Sequence, residues 1–382
     1  MQDRGVDALV ASSTENVYYV SDYWSLGKKL GCGVETYAVL PLNNDPAIIA
    51  PINEADLIIY SGTWIDDLRF YGEPKMDVGE VEEPSEQTES LLKIHQEIEA
   101  ETDGASALIK ALEDLGVSTG AIALDTSDLS PAIFEHIKGK IPDSNIIDGS
   151  SLLREIRQVK TRPEVECILR ATEITEKSME DALEIARSEI SELDLAGMFT
   201  YSVTYDGGQV SQNLIGIGER SAYPNPVPSI NEAKRRDLLR LTLGCTWGHY
   251  HSNISRTGVI GRPLGKAQRL WEAVQGAQDS VLDIIKPGAK LSELYAEAEK
   301  ELAKAEVKMR TPSIGHGLGV ECNERPWIER EAEAELLPGM VVNVDIPLLE
   351  LGWGGLQLED TVLVTDDGCE LLTKTDRGLY LL

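Results

Sequence analysis

Nothing in this sequence marks a membrane protein. It has no run of eighteen or more apolar residues, and no charged segment followed by an apolar one opens the chain. Neither a spanning helix nor a secretory leader is therefore expected, and the protein reads as cytoplasmic. Basic residues are scarce: 35 Lys and Arg stand against 65 Asp and Glu, a formal charge of −30. Neutralising phosphates takes clustered Lys and Arg, so the balance argues against nucleic acid and anionic membranes as partners. The acid excess reads instead as a solvated surface, its self-repulsion screened in a salty cytoplasm. The five cysteines, Cys32, Cys167, Cys245, Cys322 and Cys369, are odd in number and form no C-x-x-C pair. That excludes a disulfide framework and a zinc knuckle, and leaves reduced, mostly buried thiols. Repeats and low-complexity tracts are missing too.

At 382 residues the chain exceeds one typical domain, and 42% hydrophobic content suffices for real cores, so two domains are expected. Over residues 1–155, strands are predicted at Val6–Ala11, Thr36–Pro41, Ala47–Pro51 and Ala121–Leu124. Helical spacing appears at Ala105–Leu115 and Pro131–Gly139, and the mixture suggests an α/β domain. The Glu-rich stretch Glu80–Glu101 reads as an exposed loop leading into a helix. The boundary falls at Glu155–Pro163, where Pro163 sits near the first position of a new helix. Over 160–382, amphipathic helices at Val165–Ser188, Leu264–Ile285 and Leu291–Ala303 alternate with strand-like runs. Those runs are Leu238–Leu243, Asn253–Ile260, Val341–Ile346 and Gly355–Val364. The order fits an α+β domain, a curved antiparallel sheet with helices on its convex face.

Chemistry concentrates in a few stretches. Leu241–Thr257 reads Leu-Thr-Leu-Gly-Cys-Thr-Trp-Gly-His-Tyr-His-Ser-Asn-Ile-Ser-Arg-Thr. Ile314–Pro326 reads Ile-Gly-His-Gly-Leu-Gly-Val-Glu-Cys-Asn-Glu-Arg-Pro, and Gly339–Asp345 and Leu358–Thr361 follow. His249 and His251 flank Tyr250 on one expected strand, where i, i+2 spacing gives them one face. Lining or surface roles are favoured for both over ligand or base roles. A cysteine nucleophile needs a base and a lowered pKa, so packing is the favoured role of Cys245 and Cys322. His316, in its Gly-rich turn, is either a ligand or a hydrogen-bonding partner of buried backbone.

Together these stretches resemble the metal-site skeleton of the creatinase/prolidase/methionine aminopeptidase ("pita-bread") family, closest in layout to Xaa-Pro dipeptidases. Met1–Val10 resembles the family's N-terminal domain entered partway through its first helix, and Arg157-x-x-Lys160-x-x-x-Glu164 resembles the passage joining its two domains. The resemblance implies a pita-bread domain over 160–382 preceded by a smaller creatinase-type α/β domain over 1–155, and a homodimer. Working members hold two divalent metals and a bridging hydroxide on two Asp, two Glu and one His. On that pattern the Asp positions fall at Thr242 and, eleven residues on, Asn253; the His falls at His316, and the Glu positions at Asp345 and Glu359. Two neutral residues remove two charges and the bridging contact, and Asp for Glu draws a carboxylate back, so a dinuclear site is not expected. Two family histidines, in "G-x-x-S-A-x-P-H" and "H-E-x-P", fall at Asn225 and Asn323. Asn donates a hydrogen bond but cannot titrate, which leaves both as cleft-lining residues.

The expectation is an Xaa-Pro dipeptidase-like protein with a degenerate dinuclear site and no cofactor. It would bind a small peptide or small-molecule ligand, or hydrolyse a C–N bond by altered chemistry. Two alternatives stay open. One is a hydrolase holding a single Mn, Co, Fe or Zn on His316, Asp345 and Glu359, a legitimate mononuclear set. The other is an ordinary Xaa-Pro dipeptidase or aminopeptidase. Asp345 and Glu359 also suit a purely structural carboxylate pair.

Overall fold

The structure is a computed structural model and describes residues 1–79, 82–97, 99–141 and 145–382. The chain divides into two compact units, Met1–Ile156 and Arg157–Leu382.

The first unit runs β1 (Ala8–Ala11), α1 (Thr14–Ser21), α2 (Leu26–Lys29), β2 (Tyr37–Pro41), β3 (Ala47–Pro51), α3 (Ala55–Ser61), β4 (Asp67–Tyr71), α4 (Glu86–Glu97), α5 (Gly104–Asp114), β5 (Ile122–Leu124), α6 (Pro131–Lys140), β6 (Ile146–Asp148) and α7 (Gly149–Gln158). Its strands form one sheet in the order β4-β3-β2-β1-β5-β6. The central strands read as continuous apolar runs because both faces are covered. Leu9 and Ala11 pack with Val17, Ile58 and Ile94 on one side, while Ala8 and Val10 pack with Leu108, Ala111 and Ile137 on the other. The Glu-rich stretch becomes α4 over its described part; Glu80, Val81 and Ile98 lie outside the described residues.

The second unit runs α8 (Arg162–Glu184), α9 (Glu192–Tyr205), β7 (Gln209–Ile217), β8 (Leu238–Trp247), β9 (Tyr250–His251), β10 (Ile254–Val259), α10 (Gly265–Ile284), α11 (Leu291–Lys304), β11 (Ser313–Gly317), β12 (Glu324–Glu329), β13 (Val341–Glu350), β14 (Gly354–Val364), β15 (Cys369–Leu371) and β16 (Tyr380–Leu381). A Thr161–Glu164 capping box with Pro163 in the first turn starts α8. Helix α9 is not legible from periodicity, because Tyr201 and Tyr205 lie on its exposed side and blur the apolar stripe. The ten-stranded sheet follows the path β12-β11-β13-β14-β10-β8-β7. All pairings along it are antiparallel.

One face of this sheet is apolar and covered by helices. Leu239, Leu241 and Leu243 of β8 pack with residues of α8 and α9, and Val342, Val344, Leu356 and Leu358 pack with residues of α10 and α11. Side chains alternate along a strand, so the intervening residues share the opposite face. Those are Arg240 and Thr242 on β8, Asn343 and Asp345 on β13, and Gln357 and Glu359 on β14. On the helix-covered face the buried pair Arg256–Asp360, at 2.6 Å and wholly enclosed, ties β10 to β14. No described helix is long and apolar enough to cross a membrane.

Candidate functional site

Backbone register gathers the site. Thr242 pairs with Ser255, Ser255 with Glu359 and Glu359 with Asp345, a single row across β8, β10, β14 and β13. On the next strand His316 pairs with Asn343. A side chain at Gly315, which has a positive φ, would place its Cβ 2.0 Å from the Asn343 carbonyl oxygen. Only glycine therefore lets β11 close on β13 and set His316 beside the row.

At the centre, Glu359 is almost completely buried and its carboxylate accepts three hydrogen bonds. Asn253 Nδ2 and Asn343 Nδ2 donate to Oε1 at 2.7 and 2.9 Å, and Ser255 Oγ donates to Oε2 at 2.8 Å. The Nδ1–H of His316 donates to the Gly317 carbonyl at 2.9 Å, which turns Nε2 toward Glu359 at 3.7 Å. Asp345, next in the row, accepts from Gln357 Nε2 at 3.0 Å on both oxygens. Burial and the neighbouring Glu359 charge raise its pKa well above the usual carboxylate value. Gln357 Oε1 in turn accepts from Thr242 Oγ1 at 3.1 Å and from the Arg240 guanidinium. Arg240 also donates to the carbonyls of Ser221, at 2.6 Å, and Tyr223. Burial lowers its pKa to about 10, partly offset by Asp345, so it stays charged at neutral pH.

A cavity of about 240 Å³ opens over this floor. Thr242, Asn253, His316, Asp345 and Glu359 all line it, and so do the exposed Asn225 and Asn323. Lys160–Glu324 and Arg157–Glu321, both at 2.8 Å, anchor the turn that carries Asn323. Among the described residues, no group of three or more His, Cys, Asp or Glu is placed to hold a metal ion. His316, Asp345 and Glu359 do not form such a set.

His249 and His251 are not among the lining residues. Nor do they share a strand face. Gly248 and His249 both have positive φ between the paired Trp247 and Tyr250, a tight hairpin turn that takes His249 out of the strand. His251 lies near Glu324, where burial lowers its pKa to about 4. Cys245 packs among apolar side chains on the helix-covered face, with Sγ donating to the Ala171 carbonyl at 3.3 Å. Burial and Glu359 push the Cys322 thiol up to about 12, the opposite of a nucleophile.

The motif reading passes over Arg240, Ser255, Asn343 and Gln357. Parity is the signal for three of them: Arg240 stands two before Thr242, Asn343 two before Asp345 and Gln357 two before Glu359.

Comparison with known proteins agrees with this architecture. The model of metallopeptidase family M24 matches residues 166–366, and that of the creatinase/prolidase N-terminal domain matches 1–159. The Xaa-Pro dipeptidase of Pyrococcus furiosus is 32% identical over 277 residues, 71% of this chain and 77% of that protein. The crystal structure of the prolidase from Pyrococcus horikoshii OT3 superposes with a TM-score of 0.80 at 26% identity, covering 99% of this chain and 97% of that one. The X-Pro aminopeptidase of Thermotoga maritima MSB8 gives 0.81 at 23% identity over 100% and 97%, a likeness of fold.

Proposed function

Since this chain belongs to metallopeptidase family M24 and carries a creatinase/prolidase N-terminal domain, we propose that it keeps the family's cleft as a binding site for a small peptide or small molecule without two-metal peptidase chemistry. The fold is that of the family, an α+β pita-bread domain behind a smaller α/β domain.

The observation that carries the proposal is the hydrogen bonding of Glu359. A carboxylate only accepts, so the amide edges that Asn253 and Asn343 turn to it must be their NH2 groups. Those two groups and the Ser255 hydroxyl occupy three of the roughly four lone-pair sites of the carboxylate, sites a cation would share. Thr242 supplies a hydroxyl, and Asp345 a carboxyl that is tied to Gln357 and whose pKa burial and Glu359 raise. Two confined cations need several negative ligands for charge balance, and where the family pattern has four carboxylates this floor has two, Asp345 and Glu359. The donor set does not fit a dinuclear centre. What it offers a ligand is the Asp345 acid, the Arg240 charge and, toward the mouth, Asn225 and Asn323.

A second reading, a working Xaa-Pro dipeptidase, is favoured by the relatives that carry that name. Elemental analysis of the purified protein, before and after soaking in Mn and Zn, separates the two, together with Xaa-Pro dipeptide cleavage at saturating Mn or Co. The proposal expects less than one ion per chain and no cleavage. Two ions with turnover would replace it by the dipeptidase, and one tightly held ion by the mononuclear hydrolase.

A further inference from the structure

Acids outnumber bases nearly two to one, and many surface cations meet a carboxylate. Lys177 meets Asp206, Lys300 meets Glu297, Lys304 meets Glu301 and Arg330 meets Glu299. Three that do not are gathered around one concavity. A cavity of about 430 Å³ opens between the first turns of α10, the chain from Leu302 to Arg310 and the end of β13. Lys266, Arg269, Lys308 and Arg310 line it against two acids, Glu306 and Glu350. Lys266 is engaged, 2.7 Å from Glu350 and 4.3 Å from the Trp353 ring centroid. Among the described residues, the side chains of Arg269, Lys308 and Arg310 enter no ion pair or hydrogen bond. Beneath them lie the buried apolar side chains of Leu270, Leu302 and Met309.

Three like charges around one concavity repel, and an anion between them relieves that repulsion while gaining attraction from each. The volume lies in the range of small-molecule sites, and an apolar floor beneath a few converging charges is how such sites are built. We propose that this cavity binds a small organic dianion, a phosphate monoester or a dicarboxylate. Arg269, Lys308 and Arg310 take its charged end, and Leu270, Leu302 and Met309 take its apolar body. None of these residues lines the polar cleft, so the proposal is independent of the function argued above.

Titration calorimetry of the full chain at low salt tests it, with phenyl phosphate, succinate and inorganic phosphate as probes and phenol as the uncharged control. Saturable binding of phenyl phosphate or succinate with one site per chain is expected, and whichever binds tighter identifies the head group. Inorganic phosphate should bind more weakly than phenyl phosphate, because it leaves the floor uncovered. Arg269→Gln with Arg310→Gln should weaken binding about tenfold, because two exposed, solvent-screened charges are removed. Both side chains are exposed, so the fold should survive, and an unchanged near-UV spectrum checks this. No saturable heat with any probe overturns the proposal. So does affinity indifferent to the double variant, or phenol binding as well as phenyl phosphate.

Discussion

Asn253 turns the NH2 of its amide toward Glu359, with Nδ2 2.7 Å from Oε1. An aspartate there would set carboxylate against carboxylate in a buried site; an asparagine converts the same contact into a neutral-to-charged hydrogen bond. Glu359 thereby takes its hydrogen bonds from donors of the chain itself.

Asn253→Asp should lower stability at pH 7 by about 3 kcal/mol, the scale of an uncompensated buried charge. The loss should shrink on acidification, when the new pair shares a proton. Urea midpoints at pH 7 and pH 5 check this; a variant as stable as its parent at pH 7 without metal would show that Glu359 is not confined as described. Adding Thr242→Asp and Asp345→Glu should create Mn binding detectable by calorimetry, and the parent should show none.

Asp345 sets a pH dependence. Its folded pKa lies well above the unfolded carboxylate value, so the folded chain holds the proton more tightly. That contribution is complete below the unfolded pKa and is lost as pH rises through the folded one. Asp345→Asn keeps an acceptor for Gln357 and removes the proton. Its stability should therefore fall less than the parent's as pH rises from the unfolded carboxylate pKa through the folded one, read from denaturant midpoints. Parallel curves would sink the assignment.

His251 works with the opposite sign. Its pKa falls from 6.5 to about 4, and its Nδ1 is buried without a hydrogen-bond partner. The folded chain therefore disfavours the charged ring, and acidification from pH 6.5 toward 4 should remove up to about 3 kcal/mol. His251→Gln should abolish that part of the acid sensitivity, measured as the change in Tm between pH 7 and pH 5. A variant as acid-labile as its parent would place the sensitivity elsewhere.

The enclosed Arg256–Asp360 pair gives a prediction about the fold alone. Arg256 also donates to the Glu359 carbonyl at 2.8 Å, and Arg377 and Thr373 donate to Asp360. Arg256→Ala should cost about 3–5 kcal/mol, because Asp360 is left buried without its main partner. Adding Asp360→Ala should cost far less than a second increment of that size. A double-mutant cycle by chemical denaturation measures the coupling, and additive losses would contradict it.

Much of the site was legible before any coordinates. The spacing of Thr242, Asn253, His316, Asp345 and Glu359 matched a family skeleton, and all five line one cavity. Parity carries Arg240 and Gln357 onto the same face as Thr242 and Glu359. Their contact was not legible, because it joins segments more than a hundred residues apart. His249 misled for a local reason: a tight hairpin with two positive φ values commonly announces itself as Asn-Gly or Asp-Gly, and here it is Gly248-His249.

Local chemistry alone determined which residues alternate toward the polar face, where α8 starts and that basic residues are few. Those properties depend on near neighbours, on the two-residue period of a strand and on the capping of a helix. Only the tertiary structure decided what the polar residues do to one another. Whether Asn253 presents its NH2 or its carbonyl, and whether Asp345 keeps its proton, depends on which side chains the register of β8, β10, β13 and β14 brings within 3 Å and how completely water is excluded there. A hydrogen bond is set by position and burial, and sequence spacing specifies neither across a ten-stranded sheet.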